Sequence, residues 1–230
     1  MGKLFWYLNR LQAMDLQEVC WRVQQRLLVK AEKRRFGKQR VRVDGEVWND
    51  ALRELGFDAG ALGINLDNAH YSTITEVHRL QGPDYGKWPD TFSYDLTYKQ
   101  RDDLGDARTC WEKHRHFRFA LLAKAAYVSG DSRLLAYLND EQDRWCEQHT
   151  FLHGIAWTSV MEVAIRAVNW MVTLAFCKDE KLAERLRTGV INMTDYLPRH
   201  YSRFSSANNH LLVEAAAIGL AGYAFGYRPW

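Results

Sequence analysis

The sequence predicts an all-α protein assembled from antiparallel helical hairpins, and three observations lead there. From Asp106 onward, apolar residues recur at helical spacing in one segment after another. The segments open on capping side chains such as Asp106, Asp131 and Ser205, and several stop at a glycine or a polar break. The connections are short, so neighbours in sequence must pack antiparallel, and no alternating strand pattern intervenes. A bundle, an α-solenoid and a closed ring of helical hairpins all satisfy this pattern. No exact solenoid repeat is present.

Taken in order, residues 4–11 place Leu4, Phe5, Tyr7, Leu8 and Leu11 for a short amphipathic helix. The apolar stretch is too short for a signal peptide and has no small-residue cleavage site, so localisation stays open. Asp15 opens the next helix, with Glu18 at the reciprocal capping-box position and Gly37 as its stop. Its apolar side carries Val19, Trp21, Val23, Leu27, Leu28 and Ala31, and basic residues gather at its end, where cations suit the helix dipole. Residues 41–105 read differently. Gly56, Gly60, Gly63, Gly82-Pro83, Gly86 and Pro89 interrupt any period, while Trp48, Phe57, Tyr71, Tyr85, Trp88, Phe92, Tyr94 and Tyr98 supply aromatic packing. The expected division is residues 1–105 as N-terminal helices and an irregular wrapping segment, then residues 106–230 as helical hairpins.

Among the hairpins, a single helix is expected over 106–129, with Cys110, Trp111, Phe117, Leu121, Leu122, Ala125 and Ala126 inward and Gly130 as stop. Asp131 starts the next, which carries Leu134, Leu135, Leu138, Trp145 and Cys146. Helices over 158–177 and 180–200 follow, and a helix capped at Ser205 closes the chain.

Composition narrows the function classes. With 31 Lys and Arg against 28 Asp and Glu, the formal charge of +3 is too small and too evenly spread for nucleic acid. The four cysteines are far apart and form no C-x-x-C pair, so reduced core thiols are expected. No apolar run is long enough to span a bilayer. No glycine-rich phosphate loop and no G-x-S-x-G elbow is present, and no cofactor is expected. His114 with His116, and His149 with His153, lack the spacing of a helical zinc site, so no metal site is expected either.

Three groups of residues carry chemistry. In Ser205-Ser206-Ala207-Asn208-Asn209-His210, two amides and an imidazole fall in a first helical turn, where unpaired N–H groups and the dipole favour negative charge. Glu214 stands four residues after His210, placed to hold its ring in one tautomer. Glu162 and Arg166 have the spacing of a helical ion pair, and with Met161, Trp170 and Trp157-Thr158-Ser159 they suit the lining of a sugar cleft. Trp111-Glu112 and Arg115-His116 add a carboxylate and two cations. Solvated helix caps and structural ion pairs are the plain alternative for each group.

Together these motifs resemble the heparinase II/III family of bacterial polysaccharide lyases, which includes related alginate lyases. The resemblance rests on Trp111-Glu112-x-x-Arg115-His116, on Ser159-x-Met161-Glu162-x-x-x-Arg166-x-x-x-Trp170, and on Ser205 to Leu211 followed by Glu214, in the family's order and spacing. It implies part of an α/α toroid that cleaves uronate-containing glycans by β-elimination, with an acidic polysaccharide as partner. By matching positions, Asn209 neutralises the uronate carboxylate, Asn208 assists, and His210 is the base or a second carboxylate contact. Glu162, Arg166, Arg115, His116, Trp157 and Glu214 would then shape or bind the cleft.

One feature departs from the family. Its tyrosine acid lies well downstream of the Asn-His motif, and neither Tyr223 nor Tyr227 maps onto it. The expectation is therefore the N-terminal portion of a longer lyase, with exposed hairpin faces that favour self-association. Competing readings are an acidic-glycan binding module, a helical interaction domain, and a glycoside hydrolase on a similar ring.

Overall fold

Aspartate side chains start most of these helices. Asp15 accepts from the Glu18 N–H at 2.6 Å, Asp106 from Arg108 at 2.9 Å, Asp131 from Arg133 at 3.0 Å and Asp179 from Leu182 at 2.8 Å. Each aspartate sits in extended backbone just before its helix and satisfies a donor the helix cannot, a gain of about 1 kcal/mol per cap. The computed structural model describes residues 13–45, 47, 55–64, 84–99, 101, 103–204 and 207–227. The expected helix over 4–11 and the caps Ser205 and Ser206 lie outside them. The chain divides into two units, Met1–Gln39 and Arg40–Trp230.

The first unit contains α1 (Leu16–Phe36), with Lys33, Arg34 and Arg35 in its last turn. Glu18 does not complete a capping box: its carboxylate pairs with Arg22 one turn on. Cys20 is exposed, against the expectation of a core thiol.

The second unit holds α2 (Ala107–His114), α3 (Phe117–Ser129), α4 (Ser132–Gln148), α5 (Val160–Phe176), α6 (Glu180–Tyr196) and α7 (Asn208–Ala224). The described residues are all-α, with no strand and a single isolated bridge between Phe92 and His153. Helix α5 is central and packs on α3, α6 and α7, while α4 pairs with α3. Its interior face includes Val163, Ala164, Ala167, Trp170 and Met171, all fully buried. The approach of α6 to α5 requires Gly189, because a Cβ there would lie 2.3 Å from Cζ3 of Trp170.

Two expectations about helix length need correction. The helix expected over 106–129 is broken after His114, since His116 adopts the left-handed conformation (φ 59°) and α3 starts anew behind it. The break resets the inward stripe to Phe119, Leu122, Ala123 and Ala126, leaving Phe117 and Leu121 exposed. The helix expected over 180–200 tightens into a 3-10 turn at Leu197–Arg199, where Pro198 offers no N–H to continue the α pattern.

Polar groups fasten the irregular residues 41–45 to the helices. Phe151 N–H donates to the Val41 carbonyl at 2.7 Å, and the Asn192 amide donates to Val43 and Gly45 at 2.7 and 2.8 Å. Asp44 receives Arg42 at 2.9 Å and Arg185 at 3.0 Å, and both guanidinium groups also reach Asp143. Burial pushes the Asp44 carboxyl upward, but these hydrogen bonds hold it below the usual carboxylate range. Among the described residues no helix is long and apolar enough to cross a membrane.

Candidate functional site

The residues Glu162, Arg166, Asn169 and Trp170 share one face of α5, and all four grip the break between α2 and α3. Glu162 accepts from Arg115 Nε at 2.6 Å and Nη2 at 3.0 Å. Arg166 donates to the His114 carbonyl at 3.2 Å, Asn169 to the Arg115 carbonyl at 2.8 Å, and Trp170 Nε1 to His116 Nδ1 at 2.8 Å. The left-handed turn at His116 costs of order 1–3 kcal/mol, and this set of bonds holds it in place. The helical ion pair expected between Glu162 and Arg166 is therefore not formed. Glu162 turns to Arg115, and Arg166 turns into the core.

Arg166 is fully buried, with the faces of Trp145 and Trp157 at 5.0 and 5.2 Å from its guanidinium carbon. A second bond, to the Ala156 carbonyl at 3.1 Å, holds the other arm. Burial lowers its pKa to about 10, which leaves it a cation at neutral pH. Trp157 is 1% exposed and serves as a wall of this box, so neither residue lines an open cleft as expected.

His116 is corrected as well, from cation to neutral ring. An indole N–H only donates, so Nδ1 of His116 must accept from Trp170, and the ring proton sits on Nε2, 3.4 Å from the Tyr85 hydroxyl. Burial holds its pKa well below the usual imidazole value. The same logic applies to His114, whose Nδ1 accepts from Trp145 Nε1 at 2.9 Å and whose pKa burial also depresses strongly. His149 packs against His114 and Trp145, and burial pulls its pKa down to about 4. Sequence reasoning missed this cluster of His114, His149, Tyr85, Trp145 and Trp170, because the residues lie up to 85 positions apart and only the fold joins them.

The start of α7 is different. Asn208 and Asn209 are exposed and His210 is half-buried, on a helix whose N-cap residue, Ala207, offers no side-chain acceptor. Asn208 has φ 24°, a left-handed value that an asparagine tolerates better than most residues. Glu214 does not hold the His210 ring as expected. It is fully buried, and its carboxylate accepts from the Ser202 N–H and Oγ, each at 2.7 Å. Burial raises its pKa, with the Ser202 bonds opposing. The turn at 201–204 is thereby tied to α7. Tyr223 stands fourteen residues after Asn209 on the same helix, about 20 Å along its axis at 1.5 Å per residue, so it does not share this turn.

Among the described residues, no hydrogen bond or ion pair links the Asn208–His210 turn to Arg115 or Glu162. What α7 presents is a pair of amide donors, an imidazole and the first N–H groups of a helix, a set that suits an anion. Comparison of the chain with family models, curated proteins and solved structures returns no match.

Proposed function

We propose that this chain belongs to a polysaccharide lyase that cleaves uronate-containing glycans by β-elimination. The observation that carries the reading is the accessible start of α7, where Asn208 and Asn209 are exposed and His210 is half-buried, on a helix that buries only the face carrying Ala217, Ile218, Ala221 and Ala224. Removal of the C5 proton of a uronate spreads charge onto its carboxylate as an enolate, which collapses to a C4=C5 double bond as the C4–O bond breaks; the departing oxygen takes its proton from the protonated His210 or from water. Amide and backbone donors aimed at that carboxylate stabilise the charge as it develops. An imidazole suits the base, since its ordinary pKa lies near neutrality. Resemblance to the heparinase II/III motifs supports the same roles: Asn209 on the carboxylate, Asn208 beside it, His210 as base. On this reading the resemblance assigns Arg115 and Glu162 to the cleft, while Arg166, His116 and Trp157 hold the α2–α3 break that carries Arg115.

The test is the ultraviolet absorbance of unsaturated uronate product on heparan sulfate, alginate and related uronates. The protein should form product, and Asn209→Ala or His210→Ala should each reduce the rate by about 100-fold or more. Full activity in both variants contradicts the assignment.

A second reading is binding of an acidic glycan without cleavage. The commitment of Glu214 to Ser202 favours it, because His210 then lacks the carboxylate that would orient it as a base. Calorimetry that detects salt-sensitive binding with no unsaturated product would select this reading. Self-association is supported by the exposed apolar side chains Leu212, Leu220 and Tyr223 on α7. Light scattering should show a mass that rises with concentration, and a constant monomer mass removes self-association from the proposal.

A further inference from the structure

A groove of about 610 Å³ opens at the start of α2, lined by Tyr98, Lys99, Arg101, Asp106, Arg108 and Trp111. That volume falls within the roughly 300–1,000 Å³ range of small-molecule sites. We infer that this groove binds an acidic saccharide, with Tyr98 and Trp111 against the sugar rings and Lys99 and Arg108 on their acidic groups. The choice of saccharide rests on the proposed function, but the groove shares no residue with the Asn208–His210 turn.

The aromatic wall is built and fixed. Tyr98 and Trp111 meet edge to face, with centroids 5.4 Å apart, and both pack on the buried cluster of Leu96, Ala107, Cys110 and Ile155. Trp111 Nε1 donates to the Ile155 carbonyl at 3.2 Å and to Thr158 Oγ1 at 3.0 Å. The polar edge of the indole is thus anchored in the protein, and a ring already immobile loses little entropy when a ligand packs on it.

The charges divide into spent and unspent. Arg101 is occupied by Asp103, with two bonds of 2.8 Å. Asp106 caps α2 through the Arg108 N–H. Lys99 is exposed and makes no ion pair among the described residues, and the Arg108 guanidinium is exposed with only a 3.7 Å approach to Asp106. An unpaired lysine and an arginine held only loosely by Asp106, beside a fixed aromatic pair, match a pyranose acid, which offers an apolar C–H face and an anionic substituent at its edge. Nucleic acid fits less well, since the whole chain carries only +3.

Calorimetry on the full chain tests this with size-defined uronate oligosaccharides, a neutral oligosaccharide of equal length and a short single-stranded DNA. The wild type should bind the uronates in a salt-sensitive manner and bind the neutral sugar and the DNA more weakly. Lys99→Ala with Arg108→Ala should weaken uronate binding about fivefold or more with the fold intact, since both side chains are exposed. Wild-type affinity in that double variant overturns the inference, as does an absence of uronate binding or equal affinity for the neutral sugar or DNA. Asn209→Ala separates the two proposals. If it abolishes product formation while the double variant binds normally, the groove is refuted and the lyase site stands; if it leaves product formation intact while the double variant loses binding, the reverse holds.

Discussion

Arg166 is a cation without a carboxylate, kept in place by two carbonyl oxygens and two indole faces. Removing it leaves the carbonyls of His114 and Ala156 unpaired and opens a void between Trp145 and Trp157. Arg166→Ala should therefore cost about 3–5 kcal/mol, read as a lower urea midpoint. A sugar-binding arginine on an open surface would give nearly no change. At this scale the sequence was informative about Asn208 and Asn209, since two consecutive amides at a helix start have little reason to be buried. It was uninformative about Glu214. The four-residue spacing to His210 suggested one partner, and a turn twelve residues upstream supplied another, Ser202.

Among the elements, α5 explains why its motif has the spacing it has. Glu162, Arg166, Asn169 and Trp170 lie along one helical face, and that face meets the backbone and side chains of residues 114–116. The spacing was visible in the sequence, but its target was not. Apolar periodicity runs on through His116, and nothing local marks the left-handed residue there, because the bonds that stabilise it come from 54 positions away. Caps were the most legible feature of the elements: Asp15, Asp106 and Asp131 each do what a short polar side chain before an apolar run should do. The contact between α5 and α6 yields a prediction. Gly189→Ala ordinarily favours a helix, yet here its methyl meets the Trp170 ring, so the variant should lose about 1–3 kcal/mol in thermal or urea denaturation. A stabilised variant would show that α5 and α6 are not this close.

For the molecule as a whole, the buried His114 and His116 and the half-buried His149 set the response to acid. His114, His116 and His149 have depressed folded pKa values, so the unfolded chain binds more protons than the folded one below the ordinary imidazole value of about 6.5. Their stabilisation is complete above that value and is lost as pH falls through it toward about 4, where His149 itself titrates in the fold. Near pH 5 the loss should be of order 1–2 kcal/mol per ring, visible as a lower urea midpoint than at neutral pH. The buried carboxyls of Glu141 and Glu214 are raised and partly oppose this. A midpoint constant across that window would mean that these rings are not withdrawn from solvent as described.

The central claim is that the start of α7 makes the C5 proton of a uronate removable. Its most direct test is the appearance of the conjugated double bond in the product, followed by ultraviolet absorbance with wild type, Asn209→Ala and His210→Ala side by side. The account predicts absorbance that grows with the wild type and stays flat with both variants. Growth at the same rate in all three would contradict it, and so would a flat trace from the wild type on every uronate tried.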